Sequence, residues 1–259
     1  MNILNDGKSR KIKYVLFDLG NTLIYFDGDW KEVLTRAIMQ MVGHITELGY
    51  KIGEGTFASQ FMELLQRYYL QRETNFRETR TSSLLKKLLN DLEYKRIPIS
   101  EIDQILDTFH KVTEAHWHLE EDTQPLLEAL KSAQYHQGII SNAGDEANAN
   151  RLIDNAKIRD YFEPIVISAD LGFRKPAPHI FQEALAYWGA DPDEAIMVGD
   201  TFEADIVGAR NFGMKSIWIT RRVNQTAING SARKDIADYQ VKTLKEIAHL
   251  LGKINAGLD

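Results

Sequence analysis

The sequence predicts an α/β protein: a doubly wound parallel sheet, with a helical bundle inserted directly after its first strand. Three observations predict it. A nearly continuous run of β-branched and aromatic residues over 13–17 reads as a buried strand, closed by the polar residues around Gly20 and Asn21. Between residues 29 and 120 apolar positions recur at helical spacing and nothing alternates like a strand. From Thr123 onward strands alternate with helices, the order that right-handed βαβ crossovers impose on a parallel sheet.

The first strand carries Asp18 to the C-terminal edge of the sheet, where a carboxylate meets solvent and ligand rather than core. Taken alone, Asp18 also fits a turn cap. Leu23 and Ile24 lead into a polar turn through Asp27, Gly28 and Asp29. The stripe Val33, Leu34, Ala37, Ile38, Met41, Val42, Ile45, Leu48 then predicts a helix over 30–48, closed by Gly49. Further helices are expected over 56–70, 82–92 and 101–119, with Asp29, Thr81 and Ser100 as N-caps. Beyond them the pattern reads helix 125–132, strand 138–141, helix 145–155, strand 164–169, helix 177–188, strand 195–198, helix 203–211 and strand 215–220. A polar, irregular stretch over 221–234 precedes a short strand at 239–241 and a helix over 244–251. Residues 12–28 and 121–259 thus form the α/β core, 29–120 the helical module, and 1–11 a short polar tail.

With 259 residues, 44% hydrophobic and 26% charged, the chain can bury a core without staples. The absence of cysteine excludes disulfides and thiolate metal sites and fits a reducing cytoplasm. A net charge of −6 argues against nucleic-acid binding and against an anionic membrane surface, and no apolar run is long enough to span a bilayer. Oligomeric state has no signal in the sequence.

Four of the expected strands end in polar residues of one kind: Asp18, Ser141-Asn142, the Arg174-Lys175-Pro176 turn, and Asp200. In a parallel sheet all four ends share one edge. Two converging carboxylates repel unless a cation or proton intervenes, and hard carboxylate oxygens suit Mg²⁺. A lysine and a small hydroxyl beside them suit a tetrahedral phosphoryl group better than a planar carboxylate.

Asp18-Leu19-Gly20-Asn21-Thr22, Ser141, Lys175-Pro176, and Gly199-Asp200 followed by Asp205 resemble the four motifs of the haloacid dehalogenase-like hydrolases, in the right order. The helical insertion resembles that superfamily's cap, and the core its Rossmann-like sheet. The resemblance implies a Mg²⁺-dependent phosphatase acting on a small phosphorylated metabolite. Asp18 would be the nucleophile that becomes an aspartyl-phosphate; Mg²⁺ would be held by Asp18, Asp200 and the carbonyl of Gly20, with Asp205 in support. Ser141 would hydrogen-bond a phosphoryl oxygen and Lys175 would balance charge, while main-chain amides near Leu19 and Asn142 complete the cradle. Which ester is selected is a property of the cap loops.

One position departs from the family pattern. Where its phosphatases usually carry a second Asp, the general acid-base, this chain has Gly20. Turnover without it is expected to be slow or restricted to good leaving groups, unless Asp27 or Asp29 substitutes. Gly20 also argues against a phosphomutase, and the pair Asp200 and Asp205 against a metal-free dehalogenase. A phosphonate-cleaving relative would need a cap lysine forming a Schiff base, and nothing in the sequence marks Lys31 or Lys51 for that role. The alternative from another class is a non-catalytic binding or regulatory member, with Gly20 as the mark of lost chemistry.

Several residues carry a plain reading beside a functional one. Asp205 also fits an acid favoured by a helix N-terminus. His116-Trp117-His118 reads as a solvated helical face with Trp117 inward rather than a metal site, because helical residues two apart diverge. His44, His110, His136 and His179 read as structural. Arg77 and Arg80 fit either a contact to an anionic substrate or a solvated basic loop.

Overall fold

The computed structural model describes residues 11–223 and 236–258. Residues 1–10 of the expected tail and 224–234 of the expected irregular stretch lie outside them. The first strand, β1 (Tyr14–Phe17), is central in a six-stranded sheet. The others are β4 (His136–Ser141), β5 (Ile165–Ile167), β6 (Ala195–Gly199), β7 (Lys215–Ile219) and β8 (Tyr239–Val241), in the order β5-β4-β1-β6-β7-β8, and every pairing is parallel. The chain runs outward from β1 through β4 to β5, returns to β6 on the other side, completes the sheet at β8, and closes with a helix over Ile247–Ala256. Asp18 therefore stands where the strand order reverses, the usual ligand crevice of a doubly wound sheet.

Successive residues of the central strands enter opposite layers. Val15 and Phe17 join a cluster with Leu127 and Leu130 of α5 (Thr123–Ser132), while Leu16 joins Phe181 and Leu185 of α8 (Pro178–Trp188). Ile196 and Val198 face the first layer, Met197 the second. A strand buried on both faces needs a continuous apolar sequence, which is why these strands read as unbroken runs rather than alternating ones.

Four helices, α1 (Trp30–Glu47), α2 (Glu54–Asn75), α3 (Thr81–Asp91) and α4 (Ile99–Glu114), bury their stripes in a cluster of their own that includes Met41, Phe61, Leu85 and Phe109. Asp29 caps α1 by accepting from Glu32 N at 2.9 Å. The expected caps Thr81 and Ser100 instead lie inside the first turns of α3 and α4.

The fourth helix stops at Glu114, short of the expected 119. Residues Trp117–Leu119 are a strand, β3, paired antiparallel with β2 (Ile24–Phe26) in the register Ile24↔Leu119, Tyr25↔His118 and Phe26↔Trp117. The two connections between sheet and helices are thus one ribbon. Three residues pairing with a distant segment leave no helical or alternating signature of their own, so the local apolar spacing extended the expected helix too far. The expected strand over 164–169 shortens to β5, because Ser168–Leu171 turn into a helical segment, α7, ended by Gly172 at φ 73°. Where an α-helix was expected from Glu203, residues Phe202–Val207 form a π-helical turn that runs into α9 (Gly208–Phe212). No described helix is long and apolar enough to cross a membrane.

Candidate active site

β1 ends one residue before Asp18, whose backbone N–H continues the sheet by donating to Val198 O at 2.9 Å. That bond holds the carboxylate at the edge beside the ends of β4 and β6. There Lys175 Nζ reaches Asp18 Oδ1 at 2.7 Å, Ile140 O at 2.7 Å, and Asp205 Oδ1 at 2.7 Å. Its side chain is buried. Two carboxylates outweigh the cost of removing an ammonium from water, so the Lys175 pKa is raised although burial alone would lower it. The turn that presents Lys175 is pinned by Asn142, which accepts from Lys175 N at 2.8 Å and donates to Lys175 O at 3.0 Å. Ser141 is buried beside it at the end of β4.

Asp205 approaches from the π-helical turn, and its Oδ2 accepts from Thr201 N at 3.0 Å. The approach requires a glycine: a Cβ at Gly199 would lie 2.2 Å from Asp205 Oδ2. Asp200 is fixed through its main chain, whose carbonyl accepts from Trp218 Nε1 at 2.9 Å. Carboxylate oxygens of Asp18, Asp200 and Asp205 lie within 4.8 Å of one another. Three acids against one ammonium leave a surplus of negative charge. Burial, with Asp18 and Asp205 beside it, pushes Asp200 up to about 8. Burial also raises Asp205, to about 6, against the pull of Lys175. A divalent cation with a preference for hard oxygens fits this donor set and relieves the surplus.

Leu19, Gly20, Ser141, Asn142, Lys175, Asp18, Asp200 and Asp205 all line one cleft of about 1250 Å³ between the sheet edge and the helices. The structure therefore brings together every residue singled out for the chemistry. It does not bring in the proposed substitutes for the missing acid. Asp29 is occupied as a helix cap, Asp27 is exposed at the end of β2, and neither lines the cleft. Lys31 and Lys51 are likewise exposed and outside it.

Trp117 fills the space above Gly20, and a Cβ there would meet its Cη2 at 3.2 Å. His116, in the turn before β3, and His118, on it, flank the indole off any helix: His116 contacts Arg36 at 2.7 Å and Asp27 O at 2.6 Å, and His118 packs on Tyr25. Arg77 and Arg80 also leave the cleft alone. Arg77 lies over the Phe173 ring at 4.4 Å, and Arg80 pairs with Asp170 at 2.7 Å, so both fasten the helices to the sheet domain. His110, buried on α4, does the same from 3.3 Å to Asp145.

Sequence reasoning missed Tyr69, Arg72 and Glu73 of α2, which line the cleft opposite Arg174. The expected second helix ended at 70 because its apolar stripe ends there; Tyr69 falls inside it, and the additional turn to Asn75 carries Arg72 and Glu73. Helical spacing carried one turn further would have placed Arg72 on the face of Tyr68 and Tyr69.

The chain matches the model of the haloacid dehalogenase-like hydrolases over residues 15–219. It is 29% identical over 248 residues to glyceraldehyde 3-phosphate phosphatase of Pyrococcus furiosus, covering 95% of each chain. It is 26% identical over 255 residues to N-acylneuraminate-9-phosphatase of Rattus norvegicus, covering 96% of this chain and 97% of that one. Among solved structures, 2-haloacid dehalogenase from Pseudomonas syringae pv. Tomato DC3000 superposes with a TM-score of 0.65 at 26% identity, over 94% of this chain and 99% of the other. With four motifs converging on one cleft and this match spanning most of its length, the chain belongs to the haloacid dehalogenase-like hydrolase family.

Proposed function

We propose that the protein is a Mg²⁺-dependent phosphatase that hydrolyses a small phosphate ester or anhydride through an aspartyl-phosphate on Asp18. The observation that carries this reading is the Asp18 carboxylate held by Lys175 at 2.7 Å, with Asp200 and Asp205 within 4.8 Å. The curated relatives are phosphatases by name, which supports the reaction class.

Lys175 orients Asp18 through Oδ1, and Oδ2 accepts no hydrogen bond among the described residues, so an oxygen is available to attack phosphorus. That attack forms the Asp18–phosphorus bond as the bond from phosphorus to the ester oxygen breaks. The departing alcohol takes its proton from water, since Gly20 offers none. A second water then cleaves the acyl phosphate, returning the Asp18 carboxylate and inorganic phosphate. Ser141 donates to a phosphoryl oxygen, the amides near Leu19 and Asn142 receive the others, and Lys175 offsets the accumulating charge. Asp18, Asp200 and the Gly20 carbonyl would hold Mg²⁺, with Asp205 behind them. When bound, the ion supplies positive charge that shields the nucleophile from its anionic target.

Helices α1 to α4 act as a cap over 29–120 that excludes water and selects the substrate, hinged at the β2–β3 ribbon. The enzyme works in the cytoplasm, in keeping with its lack of cysteine. Gly20 favours a second reading, a metal-binding member without catalysis. A screen with Mg²⁺ from aryl phosphates to sugar phosphates and nucleotides separates the two. Hydrolysis abolished by chelation and by Asp18→Asn supports the enzyme; silence across the panel with Mg²⁺ still bound supports the binding protein.

A further inference from the structure

Beyond Lys175, the cleft is lined by two arginines, Arg72 and Arg174, that the phosphoryl site does not use. Arg174, one residue before Lys175, is only 8% exposed, and its Nη1 is buried without a hydrogen-bond partner. Burial, and Arg72 beside it, pull the Arg174 guanidinium below the ordinary arginine value, against the opposing pull of Glu78 and Glu73. Arg72 faces it from α2, and its Nε is a second buried donor without a partner. A buried guanidinium that leaves donors unused is costly unless something else completes the site.

Both arginines are held in place from behind. The Arg72 guanidinium lies 4.2 Å above the Tyr69 ring and 5.4 Å from that of Tyr68. Arg174 Nε lies 4.0 Å from Glu78, a buried carboxylate fixed by the Tyr68 hydroxyl and by Ser168 Oγ at 2.7 Å. The two orphan donors converge on one atom, Glu73 Oε1, which lies 3.6 Å from Arg72 Nε and 3.9 Å from Arg174 Nη1. That is too far to hydrogen-bond either. The Glu73 side chain is 68% exposed, so this carboxylate is a loose counterion free to swing into solvent.

We propose that Arg72 and Arg174 form an anion subsite that receives a second negatively charged group, a carboxylate or a second phosphate, on the phosphorylated substrate. The reading rests on the phosphatase assignment and deepens it by naming a substrate class: small phosphate esters that are also acids. The ligand's anion replaces Glu73 Oε1 between the two guanidiniums, and the planar fork of each arginine suits such a group. A cleft of about 1250 Å³ has room for the body of such a molecule between the subsite and Asp18.

Steady-state kinetics with Mg²⁺ on matched esters test it. 3-Phosphoglycerate and glycerol 3-phosphate differ by a carboxylate in place of a hydroxymethyl group; fructose 1,6-bisphosphate and fructose 6-phosphate differ by the second phosphate. p-Nitrophenyl phosphate reports on hydrolysis with no second anion. The wild-type kcat/KM is expected to favour the acid member of at least one pair by about ten- to a hundredfold, the difference a charge-assisted hydrogen bond makes. Whichever pair shows the preference identifies the anion. Arg72→Gln, on a side chain 23% exposed, and Arg174→Lys, which keeps the charge facing Glu78, should each bring that ratio toward parity, mainly through KM. Glu73→Gln should act in the opposite sense and lower KM for the acid. Hydrolysis of p-nitrophenyl phosphate without preference in either pair, or a preference that survives Arg72→Gln, overturns the subsite and leaves the phosphatase reading standing. No hydrolysis of any of the five compounds overturns both.

Discussion

The indole of Trp117 lies against Gly20, at the place where a longer side chain would leave the backbone: a Cβ built there is 3.2 Å from Cη2. The missing acid is therefore not a simple vacancy. Its space belongs to a residue of the β2–β3 ribbon, packed edge-on to Phe26. Gly20→Asp alone must push the ring aside; Gly20→Asp with Trp117→Leu has room. The double variant is expected to raise kcat on alkyl phosphates by about a hundredfold, with a smaller gain on p-nitrophenyl phosphate, whose leaving group needs no proton. Equal effects on both esters would show that the acid at this position is not what limits turnover.

Asp18 and Lys175 should separate catalysis from stability. Asp18→Asn keeps the shape, and the expected result is loss of hydrolysis by roughly a thousandfold or more with little change in melting temperature. Lys175→Met leaves Asp18 and Asp205 together at the sheet edge without their shared cation. The expected cost is about 3–5 kcal/mol of unfolding free energy, read from urea denaturation without Mg²⁺. Were Lys175→Met as stable as wild type, the lysine would not be neutralising both acids.

The proposed metal site should show in the pH dependence of stability. Burial and the neighbouring acids push Asp200 up to about 8, and burial pushes Asp205 up to about 6, whereas an unfolded carboxyl group titrates at about 4. Across that window the folded chain holds more protons than the unfolded one, so metal-free stability falls as pH rises from about 4 to about 8. A bound cation takes the proton's place. The melting-temperature gain on adding Mg²⁺ is therefore expected to be larger at about pH 9 than at about pH 6. A gain independent of pH would place the ion away from Asp200.

Asp18, Ser141, Lys175 and Asp200 were legible in the sequence because each follows a strand or turn at the same edge, and topology alone gathers such ends. Two kinds of feature were not. Trp117 sits on a three-residue strand whose partner is far along the chain, so no local period marks it. Arg72 and Arg174 belong to elements that meet only through the docking of helices on the sheet, and only that docking reveals donors without partners. Neither of the two readings open for Arg77 and Arg80, a substrate contact or a solvated loop, foresaw the contacts they make, for the same reason. A basic loop has no direction until packing places Phe173 and Asp170 beside it.

Where the β2–β3 ribbon returns to the sheet domain, Arg221 joins two acids that β3 delivers together. Its Nη2 lies 2.6 Å from Asp122 Oδ2 and its Nη1 2.6 Å from Glu120 Oε2, while Arg222 reaches the other Glu120 oxygen at 2.7 Å. Asp122 is fully buried, with 0% exposure. A surface pair of this kind would count for little, but removing one partner of a buried pair strands the other in a medium that solvates it poorly. Arg221→Ala is expected to cost about 3–5 kcal/mol, or roughly 6–20 °C in melting temperature for a chain of this size. Arg221→Lys keeps a charge but not the two-pronged contact, and should lose less. Because Arg222 still holds Glu120, the Arg221→Ala loss should be relieved by a second change, Asp122→Asn, which removes the stranded charge. A double variant no more stable than Arg221→Ala would show that the loss comes from packing and not from an unpaired carboxylate.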